Sequence, residues 1–279
     1  MSRKWVATVI ISLALSISGC APLQPTDTNG PRVNAPPYPI IASDSQQQEA
    51  AAIAWRQLTQ RYGFGQNTPA DLQPGTGTIR GIPNAATVAV FLPKVGNNPT
   101  PTEEDTRESL RRFIADWRSL LGADPDELSL VERTDDPSGV KTARYEQRPF
   151  RYPMRGNFGK LVIRFQADRK VTDLSSTCLP STDRIQSAIA NLTPKVTAET
   201  ASPLILGQAI TTTDSNGQQR SFTLPQNASV NVQQLVVYVL ASRDGQSVDA
   251  HLAWEIDVAN GPIKTIYLDA MTEQVIAVN

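Results

Sequence analysis

The chain has 279 residues, a formal net charge of −1 and a single histidine. Such a length suits one large domain or two small ones and is ample for a sizeable hydrophobic core. The charge is close to neutral and no basic stripe runs along the chain, which argues against nucleic acid as a partner.

The N-terminus has the pattern of a secretory signal. Arg3 and Lys4 precede an apolar run from Val6 to Ile17, and small residues lead into Cys20. This run is about twelve residues long, shorter than the roughly 20 that span a bilayer. A thiol at this position can be acylated and become the new N-terminus. We therefore expect a lipoprotein signal peptide at 1–19 and palmitate-type lipid on Cys20. The alternatives are an ordinary signal peptide or a helix that stays in the membrane.

Lipid on Cys20 implies a membrane tether in the cell envelope, on an outer membrane facing the periplasm or on the cell surface. Residues 20–43 are rich in proline, with Thr, Asn and Gly between the prolines. Such a segment is extended and semi-rigid. The sequence therefore predicts a Pro-rich tether that holds the folded body away from the membrane.

The next segment, 44–101, is predicted to hold a helix and short strands. The helix starts at a cap on Ser43 or Asp44 and runs to about Tyr62. Two short strands are expected at 78–82 and 87–92.

The strongest predicted helix begins at Thr102, which forms a capping-box pattern with Asp105, and it ends at Gly122. Its apolar residues recur at spacings of three and four, which defines one buried face. They are Leu110, Phe113, Ile114, Trp117, Leu120 and Leu121.

Four arginines line the polar side of this helix: Arg107, Arg111, Arg112 and Arg118. They could bind a phosphate or an acid. We favour a solvated face in which they pair with Glu103, Glu104 and Glu108.

After this helix the pattern turns to strands. The first group is predicted at 128–133, 141–147, 150–154, 160–167 and 171–175. Residues 183–210 are ambiguous, with helical character at 184–191 and a short helix capped by Thr197, and a polar loop follows at 211–220. The second group of strands is predicted at 235–241, 250–258, 263–269 and 274–278.

These patterns predict an α+β fold with two small units, at 102–182 and 183–279. Each would be an antiparallel sheet packed on an amphipathic helix.

Catalytic patterns are missing from the sequence. A zinc peptidase needs HExxH, which one histidine cannot supply. Ser-His-Asp catalysis would have to use His251, which we expect to be a surface or edge-strand histidine. No GxxxxGK[ST] or GxGxxG loop occurs, and acidic pairs such as Asp135-Asp136 lack the spaced oxygen ligands of a calcium loop. Cys178 has no activating base nearby, so we expect a half-buried apolar filler. We therefore expect no catalytic residue, no cofactor and no metal site.

The C-terminal strands resemble a known family. LVVYVL at 235–240, HLAWEIDV at 251–258 and TIYLDAMTEQVI at 265–276 are similar to the end of the propeptides of thermolysin-like metallopeptidases, the PepSY-type unit. The matching residues are Leu252, Ala253, Trp254, Glu255, Tyr267, Asp269, Ala270 and Thr272. Glu273 stands where the family usually has glycine.

The preceding region resembles the FTP unit of the same propeptides. ARYEQ at 143–147 matches the family pattern of Arg, an aromatic residue, any residue and Gln. The next strand, FRYPMRG, lacks the glycine that the family has there. The resemblance covers about residues 102–279 and implies cystatin-like units.

In that family the units assist folding of the attached peptidase and hold its cleft shut. This sequence ends at Asn279, where the family usually continues into the peptidase. The resemblance therefore implies a membrane-anchored, non-catalytic lipoprotein that binds a secreted metallopeptidase in trans and inhibits it or assists its folding. The alternative is an envelope structural or ligand-binding lipoprotein with no peptidase link.

Overall fold

The computed structural model describes residues 38–40, 45–65, 68–82, 88–96, 101–148, 151–180, 182–190, 192–213, 219–241, 247–259 and 263–279. The expected signal peptide, Cys20 and most of the tether lie outside these ranges. No helix within them is long and apolar enough to cross a membrane.

The fold is α+β, with several antiparallel sheets and few helices, as the sequence predicts. The helices are α1 (Ser45–Tyr62), α2 (Glu103–Asp116), α3 (Arg118–Leu121), α4 (Thr182–Ala190) and α5 (Ala198–Ile205). The strands are β1 (Tyr38–Ile40), β2 (Asp71–Leu72), β3 (Ile79–Gly81), β4 (Val90–Phe91), β5 (Leu128–Asp135), β6 (Lys141–Gln147), β7 (Met154–Gly156), β8 (Lys160–Phe165), β9 (Lys170–Ser176), β10 (Ala209–Thr213), β11 (Gln219–Thr223), β12 (Val230–Ala241), β13 (Val248–Val258), β14 (Thr265–Asp269) and β15 (Val275–Val278).

The first sheet has five antiparallel strands in the order β4-β9-β8-β6-β5. Helices α1, α2 and α3 share one apolar core with it, so α1 and β3 pack on the first sheet. The capping box at the start of α2 is confirmed: Asp105 N donates to Thr102 Oγ1 at 3.1 Å and Thr102 N donates to Asp105 Oδ2 at 3.0 Å. The apolar face of α2–α3 is also confirmed, because its six predicted residues are at most 4% exposed.

The second sheet has the order β15-β14-β13-β12-β7, and β1 pairs with part of β13. One face of this sheet packs on α4 through residues such as Leu252 and Ile185. Further along the same face, Ile256 and Leu268 pack with Ala201 and Ile205 of α5.

The sequence predicts a strand at 150–154, but the structure has it at Met154–Gly156, and this strand belongs to the second sheet. Strand β7 pairs in parallel with β12, through Val237↔Met154 and Val239↔Gly156. Gly156 has φ +98°, and an added Cβ would lie 2.5 Å from the Val239 carbonyl oxygen. The glycine therefore permits a backbone approach that other residues would block.

The polar loop expected at 211–220 begins and ends in strand. Strands β10 and β11 pair from Ala209↔Thr223 to Thr213↔Gln219. The threonines in this hairpin are β-branched and suit an extended backbone even where the composition is polar. Strand β12 likewise starts at Val230, before the predicted start at residue 235.

The chain passes from the first sheet to the second through a segment held by Gln147. This side chain is fully buried. Its Oε1 accepts from Leu179 N at 2.8 Å, and its Nε2 donates to Leu179 O at 3.0 Å. Nε2 also lies 3.2 Å from Glu127 Oε2, and Glu127 Oε1 accepts from Thr182 Oγ1 at 3.0 Å. The Gln147 side-chain amide thus satisfies both the N–H and the C=O of Leu179, as a neighbouring strand would do in a sheet.

Replacing Gln147 with alanine should destabilise the protein by about 2–4 kcal/mol, because two buried backbone groups lose their partner. Urea unfolding followed by circular dichroism measures this change. Gln166→Ala, at an exposed position, is the matched control and should cost less than about 0.5 kcal/mol. Equal midpoints for the two variants would show that the Gln147 amide does not hold the segment.

Candidate functional site

Most of the polar family-like residues gather on the face of the second sheet that lies away from α4 and α5. Along β13, Leu252 and Ile256 point towards the helices, so His251, Ala253 and Glu255 point to the opposite side. Neighbouring strands add more side chains at matching register positions. We call this the polar-aromatic face; it consists of Arg155, Gln234, Tyr238, His251, Ala253, Glu255, Tyr267 and Asp269.

His251 forms a buried pair with Asp269. The Nδ1 and Oδ2 atoms are 2.7 Å apart, and the side chains are 12% and 1% exposed. The expectation of a surface or edge-strand histidine is wrong, because β13 lies between β12 and β14 in the sheet. Periodicity identified the strand, but its position within the sheet depends on partners distant in sequence.

Asp269 also closes the turn that follows β14. Its Oδ1 accepts from Met271 N at 2.8 Å and from Thr272 N at 2.9 Å. Burial alone would raise the pKa of this carboxyl, but the hydrogen bonds from His251 and the two backbone groups outweigh burial and leave the pKa below its usual value. Glu273, in the family's glycine position, has φ +63°.

Glu255 is the centre of a second polar group on this face. Arg155 Nε and Nη2 approach its two oxygens at 2.6 and 3.2 Å, and Gln234 Nε2 donates to it at 2.9 Å. Tyr267 Oη lies 3.3 Å from Oε1. Burial opposes ionisation, yet the hydrogen bonds from Arg155 and Gln234 keep the pKa of Glu255 below its usual value. Burial, together with the Glu255 charge, raises the pKa of Tyr267 to about 12.

Two tyrosines from flanking strands meet on this face. The ring centroids of Tyr238 and Tyr267 are 4.4 Å apart, and both side chains cluster with Val236 and Ala253. The small Ala253 side chain on the strand between them leaves room for this contact. Aromatic pairs at such distances contribute beyond the area they bury.

The side chains of the polar-aromatic face thus hold neighbouring strands of the second sheet together. Hydrogen bonds to one another or to backbone hold five of its ionisable side chains: Arg155, His251, Glu255, Tyr267 and Asp269. Trp254, on the opposite face, donates to Val196 O at 2.9 Å. Within the described ranges, no group of three or more His, Cys, Asp or Glu side chains could hold a metal ion. The residues on this face therefore link neighbouring strands of the second sheet.

An open groove lies between α2 and the outer strand β5 of the first sheet. We call it the edge groove; its volume is about 410 Å³ and its lining residues are Arg107, Arg111, Ile114, Pro125, Leu128, Leu130 and Tyr145. On the edge itself Leu130 and Val131 are 39% and 43% exposed. Tyr145 is half-buried in the groove floor, and this burial raises its pKa to about 12 against the opposing effect of Arg133 and Arg107.

The arginine row on α2 is paired with carboxylates, as the sequence suggests. Arg107 lies 3.3 Å from Glu103, while Arg111 and Arg112 each approach Glu108 at 2.7 Å. Arg118 reaches Asp124 at 4.0 Å, a partner that helical spacing did not indicate.

A second cleft, of about 480 Å³, lies beside the start of α2 and the turn between β8 and β9. Its charged lining residues are Lys94, Asp105, Lys141, Asp168 and Arg169. Lys141 lies 3.5 Å from Asp135. The mixed charges give this cleft no strong preference for one sign.

The structure describes Cys178 but not Cys20. Cys178 is fully buried, deeper than the half-buried position expected, and burial raises the pKa of its thiol to about 12. It packs in the core of the first sheet. Cys20, the predicted lipid site, lies outside the described residues.

Sequence reasoning missed Arg155, Gln234 and the apolar edge of β5. Arg155 reaches Glu255 because β7 pairs with β12 of the second sheet. No local sequence pattern predicts that pairing. The sequence predicts a strand at LSLV, residues 128–131. The alternation of its side chains does not show that this strand lies at the edge of the sheet.

No family model matches the chain. The curated proteins likewise include no match. The resemblance to FTP and PepSY units stays a prediction that rests on the residues named above.

Replacing Asp269 with asparagine should destabilise the protein by about 2 kcal/mol at pH 7, because charged hydrogen bonds are lost. The folded-state pKa of Asp269 lies below its ordinary 3.8. Its contribution is therefore complete above pH 3.8 and is lost as the pH falls through the folded-state pKa. Urea titrations between pH 7 and pH 2 should show the wild type and the variant converging in acid.

Asp249→Asn, two residues from His251 on the same strand, is the control and should stay close to wild type throughout. A stability gap for Asp269→Asn that is unchanged at pH 2 would contradict the assignment.

Proposed function

We propose that the protein is a lipid-anchored, non-catalytic lipoprotein of the cell envelope that binds a secreted peptidase in trans and inhibits it or assists its folding. In this proposal residues 1–19 are the signal peptide, Cys20 carries the lipid, and 20–43 is the tether. The two sheets with their helices correspond to cystatin-like FTP and PepSY units. The support is the residue pattern at 143–147 and 235–276 together with the geometry of the first sheet.

The observation that carries the proposal is the open edge of β5 beside the edge groove. Edge strands bind extended chains through main-chain hydrogen bonds, while neighbouring pockets take alternate side chains. Exposed Leu130 and Val131 add apolar surface at the same place. A protein that holds another polypeptide needs this combination.

The arrangement of the polar-aromatic face also supports a binding role. Glu255 and Asp269, its carboxylates, are occupied by Arg155 and His251. A general acid or base must reach a substrate proton, whereas these groups are held by cross-strand partners.

One feature favours the alternative, an envelope lipoprotein that binds a small ligand. The cleft beside the start of α2 falls within the size range of small-molecule pockets. Lys94 and Arg169 line it together with Asp105 and Asp168, so a ligand that carries both signs of charge would suit it. If this alternative holds, purified protein should retain a small molecule detectable by mass spectrometry after denaturation, and no peptidase should bind.

Replacing Cys20 with alanine should leave an unacylated precursor that lipid no longer holds in the membrane fraction. Lipoprotein processing attaches at least two acyl chains, and two chains anchor a protein firmly. Labelled palmitate incorporation and membrane fractionation measure the change. Cys178→Ala is the matched control and should incorporate palmitate like wild type. Label in the Cys20→Ala protein would refute the lipid assignment.

The peptidase link is tested with the secreted metallopeptidases of the source organism. We expect purified lipoprotein to change either the activity of one of them on casein or its yield of active enzyme on refolding, at stoichiometric concentration. Heat-denatured lipoprotein is the control. If none of these peptidases binds or responds, the proposed function fails.

A further inference from the structure

We infer that the edge groove takes an extended polypeptide segment in which carboxylate side chains stand beside apolar ones, added as a further strand on β5. This inference rests on the proposed function and names the surface and the chemistry of the partner segment. It follows from the length of the edge, its apolar side chains and the charge of its rim.

The β5 edge is unusually long for a strand with a free side. Strand β5 has eight residues and, among the described strands, pairs only with β6. The other outer strands of the two sheets are short: β4 has two residues, β7 three and β15 four. Short edges protect a sheet against pairing with other chains. The β5 edge lacks that protection.

The apolar side chains of β5 mark where a partner segment would lie. Four large hydrophobic side chains are exposed in the described part of the chain, and Leu130 and Val131 are adjacent members of that set. The ladder shifts register between Leu130 and Glu132, so Val131 is the extra residue of a bulge. A bulge puts neighbouring side chains out of alternation, which concentrates apolar surface at one point of the edge.

The groove floor continues this apolar surface. Leu128 and Leu130 pair with Gln147 and Tyr145 of β6, and Leu128 packs against the main core. Ile114 of α2 forms part of the opposite wall. A volume of about 410 Å³ can take a few side chains of a strand laid along β5.

The rim of the groove carries an excess of positive charge. Glu103 is shared by Arg107 and by Arg133, and Glu108 is shared by Arg111 and Arg112. Arg133 also lies 4.0 Å from Asp135, and Asp126 also interacts with Arg111. The lining of the groove itself contains the guanidinium groups of Arg107 and Arg111 and no carboxylate. Carboxylates on an incoming segment would complete these pairs and steer its approach.

This charge also disfavours a second copy of the chain as the occupant. Two β5 strands paired edge to edge would bring the two arginine rims together, and like charges in such an interface repel. The segment that fits is one with alternating acidic and apolar residues.

A synthetic probe tests the inference directly. It is a fluorescein-labelled, N-acetylated eight-residue peptide that alternates glutamate with valine, and binding to the purified, acylated protein in detergent is followed by anisotropy. Two comparison peptides replace glutamate with lysine or carry N-methyl groups on alternate residues, which removes main-chain donors. We expect the glutamate peptide to bind at least tenfold more tightly than either.

Variants locate the site. Leu130→Lys and Arg111→Glu should each weaken binding of the glutamate peptide at least tenfold. Phe91→Lys, on the opposite edge of the same sheet, is the control for the first, since Phe91 is also 39% exposed. Arg118→Glu is the control for the second. Thermal melting of all four variants should match wild type, which confirms that the fold is intact.

Three results would overturn the inference: equal binding of the glutamate and lysine peptides, no binding of any peptide, or equal effects of Leu130→Lys and Phe91→Lys. A dimer in sedimentation that Leu130→Lys dissociates would assign the groove to a second copy instead. The two proposals fail separately. If a peptidase responds equally to wild type and Leu130→Lys, the groove assignment fails and the function stands. If the peptide binds as expected but no peptidase responds, the groove stands and the function fails.

Discussion

The structure depends on how the chain leaves the first sheet and enters the second. Residues 177–180 follow β9 and belong to neither sheet, and because Cys178 and Leu179 are buried, their backbone groups need partners. Side chains supply several of them: Cys178 N donates to Ser176 Oγ at 3.2 Å, and Gln147 bonds both backbone groups of Leu179. Just before this segment, Thr78 Oγ1 donates to Ser176 O at 2.9 Å. A buried polar network of this kind stabilises one arrangement only when every member is satisfied.

The segment at 177–180 and its partners also connect the edge groove with the second sheet. Glu127, which receives hydrogen bonds from Gln147 and Thr182, directly precedes β5, and its carbonyl oxygen accepts from Arg148 N at 2.7 Å. The edge groove therefore starts where α4 and the second sheet are attached. Strand β7 makes a second connection, because it lies between β6 and β8 of the first sheet in the chain but pairs with β12 of the second sheet. The chain therefore joins the two sheets at more than one point.

Local sequence signals predicted the elements well and their partners poorly. The Thr102–Asp105 capping box and the apolar face ending at Leu121 depend on contacts within a few residues, so they could be found by spacing. The destination of β7 depends on Gly156 meeting Val239, which is distant in sequence. The position of His251 on an inner strand likewise depends on β12 and β14, whose pairing with β13 local sequence does not show. The β10–β11 hairpin covers much of the region where the polar composition predicts a loop, because the β-branched threonines favour an extended backbone.

The edge groove shows why a binding surface is harder to predict than a core. Spacing on α2 predicts that its arginines pair as a group with Glu103, Glu104 and Glu108, which describes a neutral solvated surface. The structure pairs Arg107 with Glu103. The fold then brings Arg133 from β5 to the same Glu103 carboxylate. The carboxylates that pair with these arginines lie outside the groove lining, which contains Arg107 and Arg111, so positive charge remains at the rim. Specificity for an acidic segment thus arises from the ratio of charges that the tertiary structure assembles, and neither the helix nor the strand carries it alone.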